Sequence, residues 1–158
     1  MTDSTRPNER CLGDSMQQAQ RALRISNPNP HVGCVLTSHT GDVIGQGHTQ
    51  RAGAPHAEVM ALRDAAAQGH SVVGATAYVT LEPCSHHGRT GPCCDALIQA
   101  GIKKVVATNL DPNPLVAGQG FARLRAAGVE VEILDPTDPL AVASRELNIG
   151  FFSRMVRK

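Results

Sequence analysis

The chain has no tryptophan, one tyrosine and three phenylalanines, so aromatic residues make up only 3% of it. Tyr78, Phe121, Phe151 and Phe152 are too few to form the stacking platform on which single-stranded nucleic acid is held. An excess of either charge is also lacking, with 15 Lys and Arg against 14 Asp and Glu. No basic field is available to follow a polynucleotide backbone. No apolar run approaches the ~18 residues of a membrane span. Met1 to Arg10 is polar and has no apolar core of an export signal. Internal repeats and low-complexity segments are missing too. These absences predict a cytoplasmic protein with neither a nucleic-acid nor a membrane partner. A chain of 158 residues suits one domain with a substantial core.

Five cysteines are present, at positions 11, 34, 84, 93 and 94. An odd number without an export signal fits metal ligands or thiols better than a disulfide framework.

Periodicity predicts an alternating α/β chain. Leu12, Met16, Ala19 and Leu23 have the 3–4 spacing of an amphipathic helix over 11–25, ended by Asn27-Pro28-Asn29-Pro30. Segments 32–37 and 43–47 read as a strand hairpin around Gly41-Asp42. Helices are expected over 55–68, 93–100, 121–127 and 139–152, and strands over 75–81, 104–108 and 129–134. Segments 82–92 and 111–120 read as loops. Strands alternating with helices predict a three-layer α/β/α sandwich around a sheet of about five strands. Periodicity leaves the strand order open.

Chemistry concentrates at His56-Ala57-Glu58, Pro83-Cys84 and Cys93. A histidine and two cysteines can hold a zinc ion with an open fourth position, and a glutamate is left over to carry protons. His56 and Glu58 fall in the first turn of one helix, and Cys93 opens another behind Pro92. Two helix N-termini can therefore converge, and their partial positive charge favours thiolate ligands. Each piece alone is weak. His-x-Glu at a helix start is commonly only a solvated turn. A closed structural zinc would need a fourth ligand, for which Cys94 or His86 is available. A redox role for Cys93-Cys94 is disfavoured, because adjacent cysteines rarely meet disulfide geometry. The ordered combination points to a catalytic zinc site that activates water beside a nucleobase, with Glu58 as the proton carrier.

These residues resemble the zinc-dependent cytidine-deaminase-like superfamily. Most of its branches place the two cysteines close together, as Pro-Cys-x-x-Cys, whereas here nine positions separate Cys84 from Cys93. The loop Pro83-Cys84-Ser85-His86-His87-Gly88-Arg89-Thr90-Gly91-Pro92-Cys93 is similar to the deaminase domain of the bifunctional riboflavin-biosynthesis deaminase/reductases. So are Asn29-Pro30-His31-Val32-Gly33-Cys34-Val35, Gln50-Arg51-Ala52-Gly53, Val79-Thr80-Leu81-Glu82 and Asp111-Pro112-Asn113-Pro114-Leu115-Val116-Ala117-Gly118. The resemblance spans roughly residues 12–155.

The resemblance implies a cytidine-deaminase-like fold and one zinc per chain on His56, Cys84 and Cys93. The implied reaction is removal of the 2-amino group of 2,5-diamino-6-(5-phosphoribosylamino)pyrimidin-4(3H)-one, giving the aminouracil and ammonia. His86, His87 and Arg89 form a small basic cluster suited to the ribose phosphate, with His86 and Arg89 taken as the binding residues. The bland reading of that stretch is a solvated loop. Asn29 matches a substrate-contacting position, although turn chemistry between two prolines also accounts for it. Two positions depart from the family pattern. Thr49 stands where many relatives have histidine, and Gly91 stands where many have proline. The first puts one substrate contact in doubt, and the second loosens the loop backbone.

The expected organisation is a polar segment over 1–11, the deaminase domain over 12–152, and the start of a linker over 153–158. Gly150 to Met155 resembles the seam before a reductase half, which is not expected within these 158 residues. A reductase domain or a second copy of the chain is the partner to expect. Two rival functions remain at this level. One is deamination of another nucleobase, nucleoside or nucleotide. The other is a non-catalytic, zinc-stabilised binding module, which would have no use for Glu58.

Overall fold

Valine and alanine dominate the central strands because the sheet is covered on both faces. The computed structural model describes residues 6–21, 32–48, 56–83, 93–109, 117–135 and 137–147. Its elements run α1 (Arg6–Arg21), β1 (Gly33–Thr37), β2 (Val43–His48), α2 (Ala57–Ala67), β3 (Thr76–Val79), α3 (Cys93–Ala100), β4 (Lys104–Ala107), α4 (Gln119–Ala126), β5 (Glu130–Ile133) and α5 (Pro139–Leu147). The five strands form one sheet in the order β2-β1-β3-β4-β5. β1 is antiparallel to both β2 and β3, while β3, β4 and β5 are mutually parallel. The expected α/β class and strand number are present.

Side-chain alternation sorts the core into two layers. Cys34, Leu36, Ala77, Val79, Val105 and Ala107 face one side and pack with Ala57, Ala61 and Ala65 of α2, Cys94 and Leu97 of α3, and Phe121 and Leu124 of α4. On the other side, Tyr78 and Val106 pack with Cys11 and Leu12 of α1 and with Leu140 of α5. Helices therefore cover both faces, as in the expected sandwich. The edge strand β5, Glu-Val-Glu-Ile, alternates exposed and half-buried positions. Its charged residues blunt an edge that could otherwise pair with another chain.

α2 lies unusually close to β2. A Cβ built on Gly47 would sit 2.5 Å from both the Ala57 carbonyl oxygen and the Ala61 nitrogen. One on Gly45 would sit 2.5 Å from the Ala61 carbonyl oxygen. Glycine on the strand and alanine at positions 57, 61 and 65 of the helix permit this approach. The height of α2 above the sheet fixes where its first turn comes to rest.

Element boundaries differ from the sequence expectations in two instructive places. α1 begins at Arg6 rather than Cys11, because Pro7 in the first turn sacrifices no helical hydrogen bond. α4 begins at Gln119, two residues before the expected start, because a distant carboxylate caps it. α5 is described to Leu147, and the rest of its expected length lies outside the described residues.

Candidate active site

Topology gathers the chemistry at one edge of the sheet. Gly33, at the start of β1, faces His48, at the end of β2. The Gly33 nitrogen donates to the Thr80 hydroxyl at 3.1 Å, and the Thr80 nitrogen donates back to the Gly33 carbonyl at 3.2 Å. The exit of β3 is thereby tied to the entry of β1. Next to it, the Thr108 hydroxyl donates to the Thr80 carbonyl at 2.6 Å, which fixes the exit of β4. This is the carboxyl edge of the parallel strands, where open α/β sheets form ligand crevices.

Two helices start at this edge. His56 is the N-cap residue of α2, with extended backbone angles of φ −75° and ψ 171°, and its side chain makes no capping bond. It therefore stands one position outside the helical turn that the sequence suggested. Its ring points instead to the first residue of α3. His56 Nδ1 lies 3.1 Å from Cys93 Sγ, and Cys93 is fully buried. Glu58, the second residue of α2, is 4% exposed. The structure thus brings His56 and Cys93 together and buries Glu58 in the first turn of the helix that His56 caps.

The donor set can be tested against the metal it suggests. Zinc takes imidazole nitrogen at about 2.0–2.1 Å and thiolate sulfur at about 2.3 Å, which places the two donor atoms about 3.5 Å apart around a tetrahedral ion. The observed separation of 3.1 Å needs only a slight opening to admit it. Two helix N-termini supply positive potential for the thiolate. Among the described residues no group of three His, Cys, Asp or Glu side chains forms a metal set. Cys84, the remaining expected ligand, lies outside the described residues, as do Asn29, His86, Arg89, Thr49 and Gly91. Pro83, one residue before Cys84, is described and buried at the β3 exit.

The two other cysteines near this edge have different surroundings. Cys94 turns into the apolar layer with Ala57, Ala61 and Leu97. Cys34 is fully buried on β1, and burial pushes its thiol well up, with the Glu58 carboxylate pushing it further. Cys34 therefore stays protonated, which makes it a poor metal ligand. Reasoning from sequence assigned Cys34 no role, and its place in an apolar strand gave no signal of one.

Glu82 belongs to the Val79-Thr80-Leu81-Glu82 match, but the motif reading gave it no role. It is 5% exposed, and it spans to the start of α4. Its Oε1 accepts from the Gly118 nitrogen at 2.9 Å, and its Oε2 accepts from the Gly120 and Phe121 nitrogens at 2.9 and 3.2 Å. A carboxylate at a helix N-terminus meets both orphan N–H groups and the helix dipole. The available sequence signal was an acidic residue at the end of a buried strand, directly before a proline.

Comparison with known proteins agrees with this geometry. Residues 6–109 match the family model described as the cytidine and deoxycytidylate deaminase zinc-binding region. The chain is 51% identical over 148 residues to the riboflavin biosynthesis protein RibD of Escherichia coli K12, covering 94% of this chain and 38% of RibD. It is 44% identical over 142 residues to the diaminohydroxyphosphoribosylamino-pyrimidine deaminase of Buchnera aphidicola subsp. Schizaphis graminum, covering 85% of this chain and 91% of that protein. A solved structure of Acinetobacter baumannii RibD superposes with a TM-score of 0.87 at 46% identity, covering 97% of this chain and 41% of that one. The chain thus spans about two fifths of the length of these RibD proteins.

Proposed function

The chain belongs to the cytidine and deoxycytidylate deaminase zinc-binding family, and we propose that it deaminates 2,5-diamino-6-(5-phosphoribosylamino)pyrimidin-4(3H)-one in riboflavin biosynthesis. Water adds at the ring carbon that bears the 2-amino group, ammonia leaves, and the aminouracil remains. The observation that carries the reading is the meeting of His56 and Cys93 at two helix starts, with buried Glu58 beside them. The extent of the match to the Buchnera deaminase supports the substrate assignment.

In this reading His56, Cys84 and Cys93 hold one zinc per chain. Zinc, when bound, brings the pKa of a coordinated water down to about 7. Glu58 accepts a proton from the attacking water and passes protons to the ring nitrogen and to the departing amine. Its burial directs that exchange to the substrate rather than to bulk water. Asn29 contacts the pyrimidine or ribose, and His86 and Arg89 bind the phosphate. The domain extends over 12–152, after a polar segment at 1–11, and 153–158 begin a linker. The product passes to a reductase, on the same longer polypeptide or on a partner. A second copy of this chain is the other partner to expect. The site of action is the cytoplasm. Among the described residues, no helix is long and apolar enough to cross a membrane.

The deciding assay measures ammonia release from the diaminopyrimidine phosphate, from cytidine and from guanine in parallel. Turnover of the first alone is the expected result. Preferential turnover of cytidine or guanine would replace the substrate assignment, and no turnover of any by zinc-loaded protein would favour a binding module.

A further inference from the structure

Beyond the ties at Thr80, the segment leading from β3 toward Cys84 is anchored to α4 by the side chain of Glu82. Glu82 leaves β3 two residues before Cys84 and is 5% exposed. Both of its carboxylate oxygens are used on α4, one by Gly118 and the other by Gly120 and Phe121. A bidentate grip restrains orientation as well as distance. Behind it the contact is tight. A Cβ on Gly120 would overlap the Pro83 carbonyl oxygen and lie 3.2 Å from Glu82 Oε2. The peptide immediately before Cys84 is thus clamped between the Glu82 grip and the backbone of α4.

The same feature settles what the start of α4 does. A helix start with exposed N–H groups attracts anions, including phosphate. Here the chain's own carboxylate occupies it, so the start of α4 serves the protein rather than the substrate.

We propose that Glu82 is a positioning residue for the metal centre, setting the direction in which Pro83 presents Cys84 to the site of His56 and Cys93. The proposal rests on the reading of Cys84 as a ligand. Loss of one arm of the grip leaves the fold standing and loosens the hold on Pro83, so the protein should hold its metal more weakly. Groups that orient metal ligands typically account for about 10- to 100-fold in affinity.

The test loads the full chain with zinc and follows its transfer to a chromogenic chelator. In Glu82→Gln the side-chain amide presents N–H to at least one of the α4 donors, so one arm is lost. Gly120→Ala disturbs the same contact from the opposite side and leaves the carboxylate in place. Both variants should bind zinc about 10- to 100-fold more weakly while keeping wild-type circular dichroism. Ser15→Ala is the control for general destabilisation. The Ser15 hydroxyl bonds the Cys11 and Tyr78 carbonyls at 2.9 and 2.8 Å on the other face of the sheet. It should lower the melting temperature and leave zinc affinity unchanged. Wild-type zinc affinity in folded Glu82→Gln and Gly120→Ala overturns the proposal, as does equal zinc loss in Ser15→Ala. If Glu82→Gln does not fold, Gly120→Ala decides by the same criterion. Cys84→Ser separates the two levels. If it keeps zinc, the ligand assignment fails and takes the proposal with it. If it loses zinc while Glu82→Gln keeps it, only the role of Glu82 fails.

Discussion

His56 Nδ1 and Cys93 Sγ stand 3.1 Å apart although 37 residues separate them in the chain. Nothing but tertiary structure brings them together, because each sits at the start of a different helix. Cys94, the next residue, faces the apolar layer instead, as the turn of about 100° per helical residue requires. Cys93→Ser should therefore lose zinc, and Cys94→Ser should keep it. Metal content of the two purified variants checks this, and equal loss in both would remove the three-ligand assignment.

Glu58→Gln separates proton transfer from metal binding. The amide keeps the size of the side chain but cannot accept and return a proton. Zinc content should stay at the wild-type level while kcat falls by more than the ~10²–10⁴ of a single acid–base step, since the proposed mechanism uses the residue for successive transfers. A zinc-free variant would make Glu58 a ligand or a structural group.

Gly47→Ala tests the close seating of α2. The added methyl meets backbone atoms of Ala57 and Ala61, neither of which can rotate away. Overpacking of this kind costs about 1–3 kcal/mol. The helix should also rise, carrying His56 and Glu58 with it. Denaturant unfolding should show the loss of stability, and kcat per folded molecule should drop as well. Unchanged kcat on the folded fraction would mean that the helix absorbs the methyl without displacing its first turn.

Cys34 predicts sensitivity to alkali. Its thiol is raised in the folded state, first by burial and then by the Glu58 carboxylate. The stability that this represents is complete at pH below the ordinary thiol range. It is lost as pH rises above that range, because the unfolded chain ionises a thiol that the fold keeps neutral. Denaturation midpoints should fall on the alkaline side for wild type and fall less steeply for Cys34→Ala. Parallel slopes for the two proteins would assign the alkaline loss to other groups.

Arg89 tests the substrate. A guanidinium can take a phosphate through two parallel hydrogen bonds, each charged bond contributing about 1.5–3 kcal/mol. Arg89→Ala should lower kcat/KM by about 10- to 100-fold for the phosphorylated substrate and much less for its dephosphorylated analogue. Measuring both substrates on both proteins gives a double cycle. An equal loss on both would make Arg89 a support for its loop.

His56, Glu58 and Cys93 were legible in the sequence because their signal is local. Residue type supplies the donor chemistry, and Pro55 and Pro92 mark the helix starts that bear them. The three-layer arrangement was legible too, since strands alternate with helices along the chain, although the face that each strand residue takes was not. Strand order was not. Periodicity identifies β1 as a strand but contains nothing that places it between β2 and β3. The start of α4 was hidden as well, because its cap comes from Glu82, 38 residues away from Gly120. A cap supplied across the fold leaves no trace beside the helix that it starts.

Gly45 and Gly47 carry a consequence for how this domain can change. The seating of the helix that bears His56 and Glu58 at its start is specified by two missing methyl groups on a neighbouring strand. Most substitutions that adapt an enzyme enlarge or trim side chains around a pocket and leave its frame alone. Here enlargement at either glycine acts on the frame itself. Variants that tune substrate preference should therefore accumulate in the loops of the sheet edge, while β2 keeps its glycines whatever the substrate becomes.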